Sequence, residues 1–235
     1  MKKTILALVL AAAVHGAQAI PLTDLFQQGG SITAGDKLFS DWSALSFASS
    51  NGALDPSAIN VTPLHDGADD PGPGLNFDFG DQMTIQGNGS MAFRDYTIGF
   101  RVSTLGNKQI KDNSLTFGDP ISILTWMSDG SSDLGMTVEE WVFDVQDIEL
   151  AHKRIEFSVL NDVQTRDWPD WAAFAPQDEI RVMKKFRVWA MDDTDTAGLA
   201  GIEQRFSQQD VPEPASLALV SLAIVGMGFA RRRSN

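Results

Sequence analysis

An all-β chain is what this sequence predicts: an antiparallel β-sandwich of jelly-roll or immunoglobulin-like kind over residues 20–210, with a short C-terminal transmembrane helix behind it. Three observations lead there. Apolar and polar residues alternate with a period of two, turn-forming clusters interrupt the alternation at short intervals, and helical periodicity is nearly absent between the two ends.

The strands follow in chain order. Residues 58–62 open the series, and Leu75, Phe77 and Phe79 then alternate with Asn76, Asp78 and Gly80. After 82–86, Ile98, Phe100 and Val102 alternate with Gly99, Arg101 and Ser103. Residues 121–126, 140–145 and 154–160 are rich in β-branched and aromatic side chains, as half-buried strands require. Ile180, Val182, Phe186, Val188 and Ala190 form one apolar face of a long strand, which Lys184 interrupts, and 201–207 close the set.

Between them lie Gly, Asp, Asn, Ser and Pro clusters at 66–74, 87–89, 128–133 and 192–195, residue types that supply turns through positive φ, fixed φ or local side-chain hydrogen bonds. Residues 160–178 break the pattern with two prolines and two tryptophans and are expected to form a functional loop or cap.

A chain of 235 residues supports one domain with a full core. Lys2 and Lys3, an apolar stretch over 5–14 and Ala17-Gln18-Ala19 form the pattern of a signal peptide at 1–19, cut by signal peptidase after Ala19. The apolar stretch is too short to span a bilayer, which needs roughly 20 residues. Cysteine is absent, so disulfides and thiolate chemistry are excluded. The net charge of −13 grows more negative once the two leader lysines and three terminal arginines are set aside. Such a surface repels nucleic acid and anionic lipid, and suits divalent cations or neutral glycans.

The other end is built differently. Residues 215–230 carry no charge and, as a helix, would rise about 24 Å against roughly 30 Å of hydrocarbon. Arg231, Arg232 and Arg233 would hold the end beyond that helix in the cytoplasm. Pro212 and Pro214 keep Glu213 extended and accessible just outside the membrane.

Val211-Pro212-Glu213-Pro214, a short apolar helix and an arginine cluster, in that order, resemble the PEP-CTERM sorting signal of exported proteins of Gram-negative-type bacteria, also known as an ice-binding protein C-terminal domain. Residues 32–42 and the strand ending Arg205-Phe206-Ser207-Gln208 are also similar to short proteins of this group. The resemblance implies that exosortase cuts near the tripeptide and releases the protein to the cell surface or the exopolysaccharide matrix of a biofilm. It implies destination and processing, and supplies no catalytic residues.

Chemistry-bearing residues in the domain are few. His65 and His152 are the histidines left after processing, and no G-x-S-x-G elbow accompanies them. Glu139-Glu140 and Asp167 with Asp170 are the nearest carboxylate pairs for glycoside cleavage. Asp192, Asp193 and Asp195, and the aspartates of 66–70, could offer oxygen ligands to calcium, although the first run fails as an EF-hand at Ala197 and Gln204. Trp168, Asp170 and Trp171 combine aromatic faces with a hydroxyl acceptor, a set suited to sugars. Trp42, Trp126, Trp141 and Trp189 fall within strand patterns as core or half-buried residues. The expectation is therefore a non-enzymatic exported protein with a structural or interaction role, a glycan-binding module and a carbohydrate-active hydrolase being the alternatives.

Overall fold

The computed structural model describes residues 18–67, 69–118, 123–127 and 130–211. Ala17, the leader before it, Pro212, Glu213, Pro214, the apolar stretch 215–230 and the three arginines lie outside the described residues. Among the described residues no helix is long and apolar enough to cross a membrane.

The chain begins with β1 (Ile20–Pro21), the one-turn helix α1 (Leu22–Leu25), β2 (Ile32–Ala34) and β3 (Lys37–Ser49). After a 3-10 turn at Pro56–Ala58 come β4 (Asn60–Leu64), β5 (Gly74–Asp78), β6 (Thr84–Gln86), β7 (Ala92–Thr104) and β8 (Lys108–Phe117). The second half holds β9 (Ile123–Thr125), β10 (Asp133–Phe143), β11 (Glu149–Leu160), β12 (Val163–Asp167) and β13 (Asp170–Gln177). It ends with β14 (Glu179–Ala190), β15 (Thr196–Gly198) and β16 (Gly201–Asp210).

All pairings are antiparallel. One sheet has the order β1-β4-β5-β16-β8-β13, a second the order β12-β11-β10-β14-β7-β3-β2, and β6-β15-β9 form a small third. The two large sheets face each other across one core. Phe39 on β3 meets Phe206 on β16 at 5.5 Å between ring centroids, and Phe77 on β5 lies 6.1 Å from Phe186 on β14 and 6.2 Å from Trp42 on β3. Each such ring contributes about 2–3 kcal/mol through removal from water, and the tilted contacts add to it.

Strand β14 shows how the pattern becomes structure, since its residues alternate half-buried and buried along its whole length. Period-two alternation places Ile180, Val182, Lys184, Phe186 and Val188 on the core side together. Backbone approaches backbone closely where β5 meets β16, and a Cβ on Gly74 would lie 1.9 Å from the Gln204 carbonyl oxygen.

The expected loop at 160–178 is instead two strands, β12 and β13. Asn161 and Asp162 both adopt positive φ, 49° and 61°, and so turn β11 into β12 through a two-residue hairpin. The chain then crosses from one large sheet to the other through the cis Trp168–Pro169 peptide, and β13 becomes the outer strand beside β8. Both strands lie at sheet edges, and every residue of β12 is exposed, so neither presents the apolar alternation by which inner strands are recognised.

Candidate functional site

The tryptophans of 168–171 separate. Trp168 is half-buried and wedged between the sheets, with its ring 5.0 Å from Phe117 on β8 and 5.5 Å from Phe157 on β11. Trp171 stands 68% exposed on β13. Asp170 spends one carboxylate oxygen on the Arg154 backbone N–H at 2.9 Å, which ties β13 to β11. The three residues therefore do not converge on one groove. Trp168 is part of the scaffold, and Trp171 is an open aromatic face.

A second aromatic surface lies on the outer face of the seven-stranded sheet. Gly135 lacks a Cβ that would come within 2.6 Å of the Trp189 ring, so the indole lies over β10. Its Nε1–H donates to Asp133 Oδ1 at 2.9 Å, fixing the ring in that seat. Beside it Met91, Thr137, Glu139, Arg154, Lys185, Arg187 and Trp189 line a cleft of about 360 Å³. Glu139 is the cross-strand partner of both Arg154 and Lys185. The cleft thus gathers three cations around one carboxylate on an otherwise acidic protein.

Alternation also decides the carboxylate pairs. Adjacent residues of a strand point to opposite faces, so Glu139 joins the outer cleft while Glu140 is fully buried. They cannot act as a facing acid and base, which corrects the expectation that paired them. Asp167 is exposed on β12, and Asp170 is engaged with backbone.

Nor do the aspartate runs build a cation cage. Among the described residues no three histidine or carboxylate side chains gather as a metal site. Asp192 accepts from Ser131 Oγ at 2.9 Å, Asp193 is exposed and Asp195 is buried, so a tight turn sends the three carboxylates apart. In the 66–70 turn the aspartates take basic partners instead: Asp66 pairs with Arg205 at 3.1 Å, Asp69 with Lys108, and Asp70 with Lys111 at 2.9 Å. Lys108 and Lys111 hold the Asp69 and Asp70 carboxyls below the usual range.

The histidines serve the surface. His65 Nδ1 accepts the Gly35 N–H at 3.2 Å, and His152 stacks on Trp141 at 4.8 Å with the rings 7° from parallel. Trp42 is buried, while Trp126 and Trp141 are half-buried.

The feature that pattern reading passed over is a polar cluster inside the core. Glu140 on β10 has Lys153 on β11 and Lys184 on β14 as direct cross-strand partners. All three point inward, where Asn113 of β8 and Gln204 of β16 meet them from the other sheet. Asn113 Nδ2 donates to Glu140 Oε1 at 2.6 Å, and Lys153 Nζ lies 2.6 Å from the same oxygen. Lys184 Nζ and Gln204 Nε2 both donate to the other oxygen, Oε2, and Lys153 Nζ donates to Asn113 Oδ1.

Two ammoniums thus share one carboxylate in a dry space, where charge is costly unless it is matched. Burial works against the Glu140 carboxylate, but the lysines beside it outweigh burial and hold its carboxyl below the usual range. Burial pulls the Lys184 amine down to about 8, against the opposing pull of Glu140. The signal for this cluster in the sequence was Lys184, a charged residue at the inward phase of an otherwise apolar strand face.

No curated protein sequence matches this chain. Among solved structures it is similar to TmCBM61 in complex with β-1,4-galactotriose, at 11% identity and a TM-score of 0.25, covering 73% of this chain and 90% of that one. It is similar also to TmCBM27, described as a carbohydrate-binding module with specific mannan recognition, at 6% identity and a TM-score of 0.27, covering 74% of this chain and 99% of that one. A third is the enzymatically active domain of tailspike protein 4 of bacteriophage CBA120, at 11% identity and a TM-score of 0.25, covering 73% of this chain and only 20% of that one. Overlaps this loose carry no weight for ligand or activity. The specific match lies at residues 210–234, which fit the PEP-CTERM protein-sorting motif, so this chain carries that motif directly behind an all-β, antiparallel domain.

Proposed function

We propose that this chain is an exported protein of the bacterial surface or exopolysaccharide matrix, and that its β-sandwich has a structural or interaction role rather than a catalytic one. The observation that carries this reading is the sorting motif at 210–234. In this reading signal peptidase removes 1–19, the 215–230 helix pauses in the inner membrane, and Arg231, Arg232 and Arg233 hold its far end in the cytoplasm. Exosortase then cuts near Pro212-Glu213-Pro214. Changing these three residues to alanine in an exosortase-bearing host should trap an uncleaved form in the membrane fraction. Normal release of that variant into medium or matrix would sink the sorting claim.

A second reading, glycan binding, is favoured by the 68% exposure of the Trp171 indole. An open aromatic face stacks on the apolar side of a sugar ring and suits the matrix as a destination. Affinity electrophoresis in the host exopolysaccharide tests it, with Trp171→Ala and Trp189→Ala compared to the parent. Loss of retardation in the first variant places the contact at the sheet edge, and loss in the second places it in the outer cleft. A parent protein that is not retarded removes the reading.

A further inference from the structure

The cluster between the sheets holds an amine, a carboxamide and a carboxylate in mutual contact. Lys153, Asn113 and Glu140 are 1%, 0% and 0% exposed. Glu140 Oε1 touches both nitrogens, Lys153 Nζ and Asn113 Nδ2, each at 2.6 Å. Lys153 Nζ also touches Asn113 Oδ1, so the carbonyl carbon Cγ is the next atom along. Lys184 and Gln204 occupy the other carboxylate oxygen and fix its orientation, leaving Oε1 to the two nitrogens. The neutral form of an amine is the nucleophilic one, and Glu140 Oε1 lies within reach of the proton that Lys153 must give up. Nucleophile, electrophile and proton shuttle are therefore already assembled.

We propose that Lys153 and Asn113 join in an intramolecular isopeptide bond, formed with Glu140 as the catalytic acid–base, that ties β11 of one sheet to β8 of the other. Glu140 first takes a proton from the Lys153 ammonium. The freed Nζ lone pair attacks Asn113 Cγ, a C–N bond forms, and the carbonyl electrons move onto Oδ1. Oε1 accepts a second proton from the attacking nitrogen as its own acid proton passes to Nδ2, a transfer its contact with both atoms allows. The Cγ–Nδ2 bond breaks as the carbonyl re-forms, and ammonia leaves, taking the remaining proton as ammonium. Lysine ammonium and asparagine amide become isopeptide and ammonium; Glu140 returns to carboxylate, and nothing is oxidised or reduced.

Two features of the molecule favour the product. The cluster carries one uncompensated positive charge, and the reaction expels that charge to solvent, leaving Lys184 and Glu140 as a matched pair. The chain also has no cysteine, and this bond supplies the covalent tie that a disulfide would otherwise give.

Peptide mapping of the purified full chain tests the proposal. Trypsin should fail to cut after Lys153 and should yield fragment 112–154, lighter than its linear mass by one ammonia. A second cut after the glutamates within that fragment should leave the pieces bearing Asn113 and Lys153 joined. Normal cleavage after Lys153 with unaltered mass would overturn the proposal. So would a light fragment that falls into separate pieces, because asparagine can also lose ammonia to its own backbone. Glu140→Gln should not form the bond, and a joined product in that variant would remove Glu140 from the chemistry. Glu140→Gln leaves two buried lysines without their carboxylate and can fail to fold, so Lys153→Arg serves as a second control. It keeps a cation at the site and should give only linear fragments.

Discussion

Replacing Trp168 and Trp171 one at a time by alanine separates a structural indole from a surface one. A fully buried Trp or Phe truncated to alanine costs about 3–5 kcal/mol. Trp168 is half-buried, so its burial contributes about 2 kcal/mol on that scale, and its two aromatic contacts add about 1 kcal/mol. Trp168→Ala should therefore destabilise by about 3 kcal/mol, a fall in Tm on the order of 10 °C for a domain of this size. Trp171 is 68% exposed, and its removal should stay within about 0.5 kcal/mol of the parent. Urea unfolding followed by far-UV circular dichroism, compared at equal m-values, measures both. Equal costs for the two variants, or a neutral Trp168→Ala, would refute the assignment of one indole to the scaffold and the other to the surface.

The buried lysine makes stability depend on pH. Lys184 releases its proton at about 8 in the folded chain and at 10.5 in the unfolded one. The unfolded state therefore holds more protons between those values, and stability should rise with pH by about 1.4 kcal/mol per unit there. Lys153 is the smallest of the causes acting on Lys184, so its acylation leaves this direction intact. Denaturant curves should be taken at pH 7–10, because burial raises the Tyr96 hydroxyl to about 12 and lowers stability with the opposite sign above 10. Lys184→Met should rise less steeply, keeping only what the Lys37 amine, also lowered by burial, contributes with the same sign, and an equal slope in both chains would contradict the account. In a separate test, Gly135→Ala forces a methyl against the Trp189 ring and should cost about 1–3 kcal/mol by chemical denaturation. A neutral Gly135→Ala would show that the indole is not seated there.

What the sequence disclosed depended on where each strand lies in its sheet. β14, flanked by β10 and β7, buries one face completely, and β7, flanked by β14 and β3, buries Tyr96, Ile98, Phe100 and Val102 on its inward face, so their alternation announced them. β12 and β13 are edge strands whose residues face water on most sides, so their sequence resembles a loop. Asn161-Asp162 was the available clue, as a two-residue turn between them and β11. Lys184 was legible as an interruption of an apolar face. Its partners were not, because Glu140 and Lys153 meet it only through strand pairing, and Asn113 and Gln204 only through the facing of two sheets. The split of Trp168 from Trp171 is likewise a three-dimensional fact: the chain changes sheets between them.

The position of β16 bears on how the domain would carry a load. This last described strand lies inside its sheet, between β5 and β8, and stays paired with β8 as far as Asp210 opposite Lys108. Val211 N–H still donates to the Asn107 carbonyl at 3.1 Å. A pull applied beyond Val211 enters the middle of a sheet, and drawing β16 out means breaking hydrogen bonds to two neighbours. Mechanical resistance is thus placed at the end of the domain that adjoins the sorting motif.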